Sequence, residues 1–268
     1  MTLPISIYQV DAFTRKPFSG NPAAVCLLTA PQPDEWMLSV AKEMNLSETA
    51  FLLPEGDGYR LRWFTPKLEV SLCGHATLAS AFVLAERGEL LSGTEVKFYT
   101  LSGLLTAARR GERIELNFPA LPTNPVLPTP TLLAALGLQE KDIVAIEDSN
   151  GRALIEVSGE EIVRQLKPDF IELAKDTGRG VIVTSRSEDD RYDFISRFFA
   201  SYAGIDEDPV TGSAHCCLAP YWAARLHKTI FSAYQASARG GELEVELTGE
   251  RVFLRGHAVT VFAGELFA

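Results

Sequence analysis

At 268 residues the chain is long enough to bury a full hydrophobic core, and it is close to the length at which one core becomes two. Its composition, 46% hydrophobic and 22% charged, excludes intrinsic disorder, and its formal net charge of -10 argues against nucleic acid as a partner. Because no apolar run approaches the roughly 20 residues of a membrane-spanning helix, we expect a cytoplasmic protein with no membrane partner.

Alternating and β-branched runs predict strands in the first part of the chain. They are expected at residues 4–10, 23–28, 48–53, 59–65, 94–100, 104–109 and 112–117. A helix at 33–44 begins with Pro33 and two acidic residues, as helix N-termini prefer. A second helix, at 75–87, is apolar nearly all round, which is typical of a helix enclosed by other elements.

A proline-rich stretch, residues 119–130, marks the clearest boundary, because proline fits neither a helix interior nor a sheet ladder. We interpret it as a crossing between an N-terminal lobe, residues 1–118, and a C-terminal lobe, residues 131–257. A final strand at about residues 258–268 could add to the first lobe.

After this crossing the same order of elements recurs. Helices are expected near residues 131–138, 159–166, 169–175 and 213–227, and strands near residues 142–148, 152–157, 180–185 and 192–199. The segment Arg197-Phe-Phe-Ala corresponds to Arg62-Trp-Phe-Thr, and Thr211-Gly-Ser-Ala-His corresponds to Cys73-Gly-His-Ala-Thr. The halves therefore look like distant copies, each a curled mixed sheet around one apolar helix.

Each of the two apolar helices begins at a glycine, Gly74-His75 in the first lobe and Gly212-Ser213 in the second. Glycine lets the backbone approach a ligand closely, and the N–H groups of a first helical turn attract carboxylates. Two such openings that face each other across a cleft would bind a small anion from both sides. For either glycine alone, tight packing is the alternative explanation.

Glu48 places a carboxylate at the start of an otherwise apolar strand, where packing alone disfavours it. Burial would raise the pKa of this carboxyl group toward neutrality, which suits a group that takes a proton from carbon and returns it. A surface or capping glutamate is the alternative. The comparable strand of the second half, Gly180-Val-Ile-Val-Thr, has no acid, so the lobes look chemically unequal.

Asp208 lies in an acidic loop that runs into the second helix opening and is stiffened by Pro209. A hard-cation site usually has oxygen ligands at alternating positions with a glycine turn, and Asp206, Glu207 and Asp208 lack this pattern. We therefore expect no metal.

His75 and His215 each fall in the first turn of an apolar helix, where the helix dipole favours the neutral ring. A histidine of the hydrophobic core is the alternative for His75 and the favoured interpretation of His215. The cysteines show neither CxxC spacing nor a disulfide pattern, and we expect Cys26, Cys216 and Cys217 to be buried free thiols.

Several short motifs, spread in order from residue 7 to about residue 218, together resemble a known family pattern. They are Val10-Asp-Ala-Phe-Thr, Pro17-Phe-Ser-Gly-Asn-Pro-Ala-Ala-Val, Asn45-Leu-Ser-Glu-Thr-Ala-Phe, Arg62-Trp-Phe-Thr-Pro with Glu69-Val, Leu72-Cys-Gly-His-Ala-Thr, Ser196-Arg-Phe-Phe and Glu207-Asp-Pro-Val-Thr-Gly-Ser-Ala-His. Each motif is only moderately specific, whereas the ordered set is similar to the PhzF-like isomerases of phenazine biosynthesis, a branch of the diaminopimelate-epimerase-like fold.

The resemblance implies an α+β protein with two pseudo-symmetric lobes, each a strongly curved, barrel-like mixed β-sheet around a central helix. It also implies a homodimer and a cofactor-independent isomerase that acts on a small carboxylate-bearing metabolite. Glu48 looks like the acid/base glutamate of the family, with His75 and Asp208 fixing orientation as further catalytic residues. The expected substrate-binding residues are Asn21, Ser47, Gly74, Gly212 and Ser213.

One departure separates the chain from the epimerase branch, which works with two cysteines, one before each helix glycine. Cys73 fills the first of these positions, but Thr211 fills the second. Racemisation with two thiols is therefore disfavoured, and return of the proton by Glu48 fits an isomerisation on one face of the substrate. Two alternatives stay open: an amino-acid epimerase or racemase that uses the thiol of Cys73 with Glu48, and a binding protein that has kept the fold without chemistry.

Overall fold

The computed structural model describes residues 4–149, 151–176, 178, 180–203 and 205–267. The chain divides into two units, Met1–Phe118 together with Phe253–Ala268, and Pro119–Val252. Strands and helices occur in both units, which confirms the predicted α+β class. Among the described residues, none of the helices is both long and apolar enough to span a lipid bilayer.

The bounds of the elements lie within a few residues of those predicted. The strands are β1 (Ile5–Ala12), β2 (Asn21–Leu27), β3 (Glu48–Glu55), β4 (Gly58–Phe64), β5 (Glu69–Val70), β6 (Glu95–Thr100), β7 (Gly103–Arg110), β8 (Arg113–Pro119), β9 (Asn124–Pro125), β10 (Ile143–Ser149), β11 (Arg152–Val157), β12 (Val181–Arg186), β13 (Phe194–Ala200), β14 (Ile205–Glu207), β15 (Ile230–Gln235), β16 (Gly241–Thr248), β17 (Arg251–Gly256) and β18 (Ala258–Leu266). The helices are α1 (Asp34–Met44), α2 (Gly74–Glu86), α3 (Pro130–Leu136), α4 (Glu160–Gln165), α5 (Phe170–Asp176) and α6 (Gly212–Leu226).

The sheet of the first unit is mixed. β2 runs parallel to β3, β3 antiparallel to β4, and β4 parallel to β6, while β1 pairs antiparallel with both β2 and β18. α2 packs against β1, β2, β3 and β7. It is buried from His75 to Ala81 with no polar stripe, so it is the enclosed helix that the sequence predicts. Burial of a side chain the size of Leu78 stabilises such packing by about 2 kcal/mol.

The second unit repeats this order of pairing. β11 runs parallel to β12, β12 antiparallel to β13, and β13 parallel to β15. α6 is buried from Ala214 to Ala219, packs on β16, and continues through Pro220 without interruption. The same succession of parallel and antiparallel pairs in both units supports the internal duplication inferred from the sequence.

A bidentate ion pair occurs at the same place in both repeats. Arg62 in β4 binds Glu69 in β5 through two contacts of 2.6 Å, and Arg197 in β13 binds Glu207 in β14 at 2.7 and 2.8 Å. Each glutamate lies just before the turn that opens α2 or α6. Since paired N–H···O bonds fix direction as well as distance, each pair holds its helix opening to the neighbouring strand.

The proline-rich stretch differs from its prediction as a crossing without ladder pairing. Asn124 and Pro125 form β9, which lies opposite Asp148 and Glu147 of β10, and the N–H of Val126 donates to Ile146 O. A proline lacks only its own donor, so its neighbours can still pair at such a short strand.

The end of this stretch is already helical. Pro130 is the first residue of α3, a position where its fixed φ is favourable, and the Thr129 side chain accepts from the N–H of Leu132. The stretch belongs to the second unit, and that unit ends at Val252, earlier than the predicted residue 257. Gly256 lies so close to Phe13 and Leu78 of the first unit that a Cβ atom would meet both side chains.

Candidate active site

Three elements of the first unit bring a polar cluster together. Parallel pairing places Ala23 opposite Glu48, so β2 and β3 begin at the same edge of the sheet. Asn21 opens β2, Glu48 opens β3, and His75 lies in the first turn of α2, which packs on both strands. An amide, a carboxylate and an imidazole therefore lie together at the edge where β2, β3 and α2 begin.

His75 is the centre of this cluster. Its Nδ1 lies 3.0 Å from Nδ2 of Asn21 and 3.6 Å from Sγ of Cys73. Its Nε2 lies 3.3 Å from Oε2 of Glu48 and 3.3 Å from Oγ of Ser47. The structure thus unites Asn21, Ser47, Cys73 and His75 with Glu48, as the sequence predicts, and the side chain of Glu48 is only 14% exposed.

The protonation state of His75 follows from its surroundings. Burial lowers the pKa of His75 to about 3, so the ring is neutral near pH 7. Asn21 turns its Oδ1 toward the hydroxyl of Ser47, at 3.5 Å, and its Nδ2 toward the ring. An amide nitrogen can only donate, so Nδ1 accepts and the ring proton is on Nε2. The N–H group of the neutral ring therefore lies on the side where Oγ of Ser47 accepts from it and Oε2 of Glu48 is 3.3 Å away.

Glu48, Cys73 and His75 also bring one potential metal-ligand atom each to within 4.8 Å of one another. Cys73 faces Nδ1, however, and Glu48 faces Nε2, on the other side of the ring. Nδ1 already accepts from Asn21. A metal ion bound at Nδ1 would therefore have to displace this hydrogen bond.

The second unit holds the other predicted residues at the opening of α6. Gly212 and Ser213 form its first turn, after Thr211 as the N-cap residue. Asp208 is half-buried in the preceding turn, and its Oδ2 accepts from the hydroxyl of Thr211 at 2.5 Å. Gln235, which the sequence analysis overlooked, binds both Asp208 and Thr211 from β15.

His215 is a core histidine, as the sequence favours. It is fully buried beside Phe194, and its Nδ1 donates to Thr211 O at 2.9 Å. Burial lowers the pKa of His215 to about 4, against the opposing effect of that hydrogen bond.

The predicted thiols are also confirmed. Cys26, Cys216 and Cys217 are buried and free of disulfides. Burial raises the pKa of Cys26 to about 12, so this thiol stays protonated.

The sequence analysis missed the pairing of Arg62 with Glu69 and of Arg197 with Glu207. Part of the signal was present, since both arginines stand in a segment that the two halves share, whereas the glutamates lie outside the shared segments. Gln235 left no comparable signal, because it reaches Asp208 only through the pairing of β15 with β13.

Comparisons with known proteins agree with this fold. The model of a family described as phenazine biosynthesis-like protein matches residues 10–264. An uncharacterized isomerase of Halalkalibacterium halodurans is 53% identical over 99% of both chains. The crystal structure of a PhzF family phenazine biosynthesis protein from Enterococcus faecalis superposes with a TM-score of 0.93 at 42% identity, covering 99% of this chain and 100% of that one.

A more distant structure bears on the fold alone. A predicted epimerase from Pseudomonas aeruginosa has a TM-score of 0.79 at 23% identity, covering 98% of this chain and 99% of that one. Together with the duplicated sheet and enclosed helices, this likeness confirms the diaminopimelate-epimerase-like fold predicted from the sequence.

Proposed function

Since this chain belongs to the phenazine biosynthesis-like protein family and is an isomerase, we propose that Glu48 carries the proton in its reaction. Glu48 takes a proton from one carbon of a small carboxylate-bearing metabolite and returns it to another carbon on the same face, without a cofactor. The observation that carries this proposal is the 3.3 Å approach of the His75 Nε2 to Oε2 of the shielded Glu48 carboxylate.

His75 supports this role by keeping the transferred proton on Glu48. Its Nε2 is already protonated, and its pKa of about 3 makes the ring a poor base. A proton taken by Glu48 therefore does not pass to the ring. It stays where it can return to the substrate, and before proton transfer the polar Nε2–H group, 3.3 Å from Oε2, stabilises the ionised carboxylate electrostatically.

The opening of α2 supports the choice of substrate class. The first-turn N–H groups that begin at Gly74 carry positive potential, and the long apolar helix behind them aligns its peptide dipoles in the same direction. A carboxylate bound there would place its neighbouring carbon close to Glu48. An enolate-like charge that forms next to that carboxylate would be stabilised by the same groups.

The first test measures proton exchange at carbon. The protein is incubated in D2O with a panel of small carboxylic and amino acids, and deuterium gain is followed by mass spectrometry. A substrate found with the unmodified protein should lose its exchange by at least about 100-fold in Glu48→Gln, because the amide cannot take the proton. Unchanged exchange in a folded Glu48→Gln protein would refute the assignment.

Epimerisation with Cys73 is the second candidate, favoured by the position of its Sγ beside His75, 3.6 Å from Nδ1. In that case Cys73→Ala should abolish exchange, and a single enantiomer should give inverted product. Under our proposal Cys73→Ala retains exchange and the product is not inverted. A protein that neither exchanges nor isomerises any member of the panel would favour the third candidate, a binding protein.

The remaining assignments are part of the same proposal. Asp208, Gly212 and Ser213 contribute to substrate binding, with Asp208 orienting the substrate. The protein forms a homodimer and is located in the cytoplasm. The binding residues and the homodimer are predicted from the family resemblance, and the cytoplasmic location is predicted from the composition of the sequence.

A further inference from the structure

Gln235 is a fully buried amide at the end of β15, and the contacts of both of its polar atoms are defined. Its Oε1 accepts from the backbone N–H of Thr211 at 2.8 Å. Its Nε2 donates to the backbone oxygen of Asp208 at 2.7 Å and lies 3.2 Å from Oγ1 of Thr211. A side chain from a distant strand thus spans the whole turn that carries Asp208.

These contacts fix the direction of the hydrogen bonds that link Gln235, Thr211 and the Asp208 carboxylate. A backbone N–H group can only donate, so the oxygen of Gln235 must face Thr211 N and the amide nitrogen must face Oγ1. That nitrogen is also only a donor. The hydroxyl of Thr211 therefore receives a hydrogen bond from Gln235 and directs its own proton to Oδ2 of Asp208, 2.5 Å away.

We propose that Gln235 is a positioning residue that, through Thr211, holds Asp208 as a hydrogen-bond acceptor of fixed orientation. The inference rests on the proposed function, in which Asp208 orients the substrate. It also explains the threonine at the position where the epimerase pattern has its second cysteine. Here that side chain relays a hydrogen bond to Asp208 and does not exchange a proton with substrate.

The surrounding contacts keep the turn rigid enough for this relay. The N–H of Asp208 donates to Phe198 O at 3.0 Å, and the Ser237 hydroxyl donates to Pro209 O at 2.9 Å. The charged neighbour Glu207 is bound at two points by Arg197, so its charge is compensated and does not vary with the relay. A change at Thr211 should therefore reach the Asp208 carboxyl group mainly through the hydroxyl, whereas a change at Gln235 also removes a hydrogen bond to the Asp208 backbone oxygen.

The test measures the carboxyl group of Asp208 itself, in the complete chain and without substrate. Aspartate is labelled with ¹³C at Cγ, the Asp208 signal is assigned with Asp208→Asn, and its pH titration is recorded by NMR. Thr211→Val removes the hydroxyl at nearly constant volume, and Thr211→Ser keeps it. We expect the Asp208 pKa to rise by about one unit in Thr211→Val and to stay at the unmodified value in Thr211→Ser.

Gln235→Met then separates the relay from a simple hydroxyl contact. With no amide to direct it, the Thr211 hydroxyl is free to turn away, and the Asp208 titration should move in the same direction as in Thr211→Val. An unmoved titration in Thr211→Val would overturn the proposal. So would a Gln235→Met titration equal to that of the unmodified protein. If Gln235→Met does not fold, Gln235→Asn takes its place, because its side chain is one methylene shorter and withdraws the amide from Thr211.

The result is independent of turnover. If Glu48→Gln exchanges as fast as the unmodified protein while Asp208 titrates as expected here, the proposed function fails and the relay stands. If the titrations do not move while Glu48→Gln loses exchange, the relay fails and the proposed function stands.

Discussion

The two units share a scaffold but differ in what they place at the helix opening. Both join parallel and antiparallel strand pairs in the same order, and both tie the turn before the enclosed helix with an arginine–glutamate pair. In each unit a fully buried side-chain amide contacts the polar residues of the helix opening. This amide is Asn21 in the first unit and Gln235 in the second. Asn21 sets the ring proton of His75, whereas Gln235 sets the hydroxyl proton of Thr211.

The residues common to both units differ in purpose from the residues found in one unit only. The ion pairs and the enclosed helices depend on packing, which constrains both copies alike. An acid/base group beside a neutral histidine is useful only where the proton is transferred, and the first unit alone has Glu48 in that position of the repeat. We therefore expect changes to the shared scaffold to affect stability, and changes to the unequal residues to affect exchange.

The largest effect expected within this comparison concerns the two ion pairs. Arg197 and Glu207 are 10% and 16% exposed, against 23% and 19% for Arg62 and Glu69. Arg197 also donates to the backbone oxygens of Val163 and Leu166. We expect Arg197→Met to lower the free energy of unfolding by about 3 kcal/mol, because it leaves a buried carboxylate unpaired.

Arg62→Met is the matched variant, and its loss should be about half as large, because water can reach the remaining carboxylate more easily. Urea unfolding followed by circular dichroism measures both. Equal losses of unfolding free energy in the two variants would mean that the difference in burial between the two ion pairs does not affect their contribution to stability.

The elements of the shared scaffold could be predicted from the sequence, but the side-chain contacts between strands could not. The alternation of the strands and the all-apolar helices could be read from the sequence, because local pattern determines them. The correspondence of Arg62 with Arg197 was visible as well. Their glutamate partners and Gln235 were not identified, since each contact depends on which strands become neighbours.

The candidate site was predictable for a different reason. Glu48 violates the apolar pattern of its strand, and such a local inconsistency often marks function. The tautomer of His75, by contrast, depends on a side chain 54 positions away in the sequence, Asn21. The short strand within the proline-rich stretch was not predicted, because prolines were expected to exclude any sheet pairing. Residues next to a proline keep their own N–H groups and can still donate, as Val126 does.

A change at His75 tests the unequal residues directly and should have the next largest effect. His75→Leu removes the N–H group that faces Glu48, and we expect deuterium exchange to fall by about 100-fold. His75→Gln can still present an amide N–H group in that direction and should recover part of the loss. Cys26→Ala, a core change in β2, is the control for general destabilisation, and its exchange should match the unmodified protein. Equal exchange in His75→Leu and His75→Gln would show that the N–H group does not matter.

The last effect is a loss of stability in acid to which both units should contribute. The pKa of His75 is lowered to about 3 and that of His215 to about 4 by burial, whereas an unfolded histidine titrates near 6.5. Above pH 6.5 neither state takes up a proton at these rings, so stability is unaffected. As the pH falls below 6.5 the unfolded chain binds protons that the folded chain does not, and the folded state loses about 2 kcal/mol per histidine by pH 5.

Urea unfolding at pH 7 and pH 5 measures this loss. Because the two rings lie in different units, His75→Gln and His215→Gln should each remove about half of their combined contribution. A loss between pH 7 and pH 5 that is the same in both variants as in the unmodified protein would assign the acid sensitivity to other groups. A variant that removes all of it would show that one unit governs the unfolding of the chain.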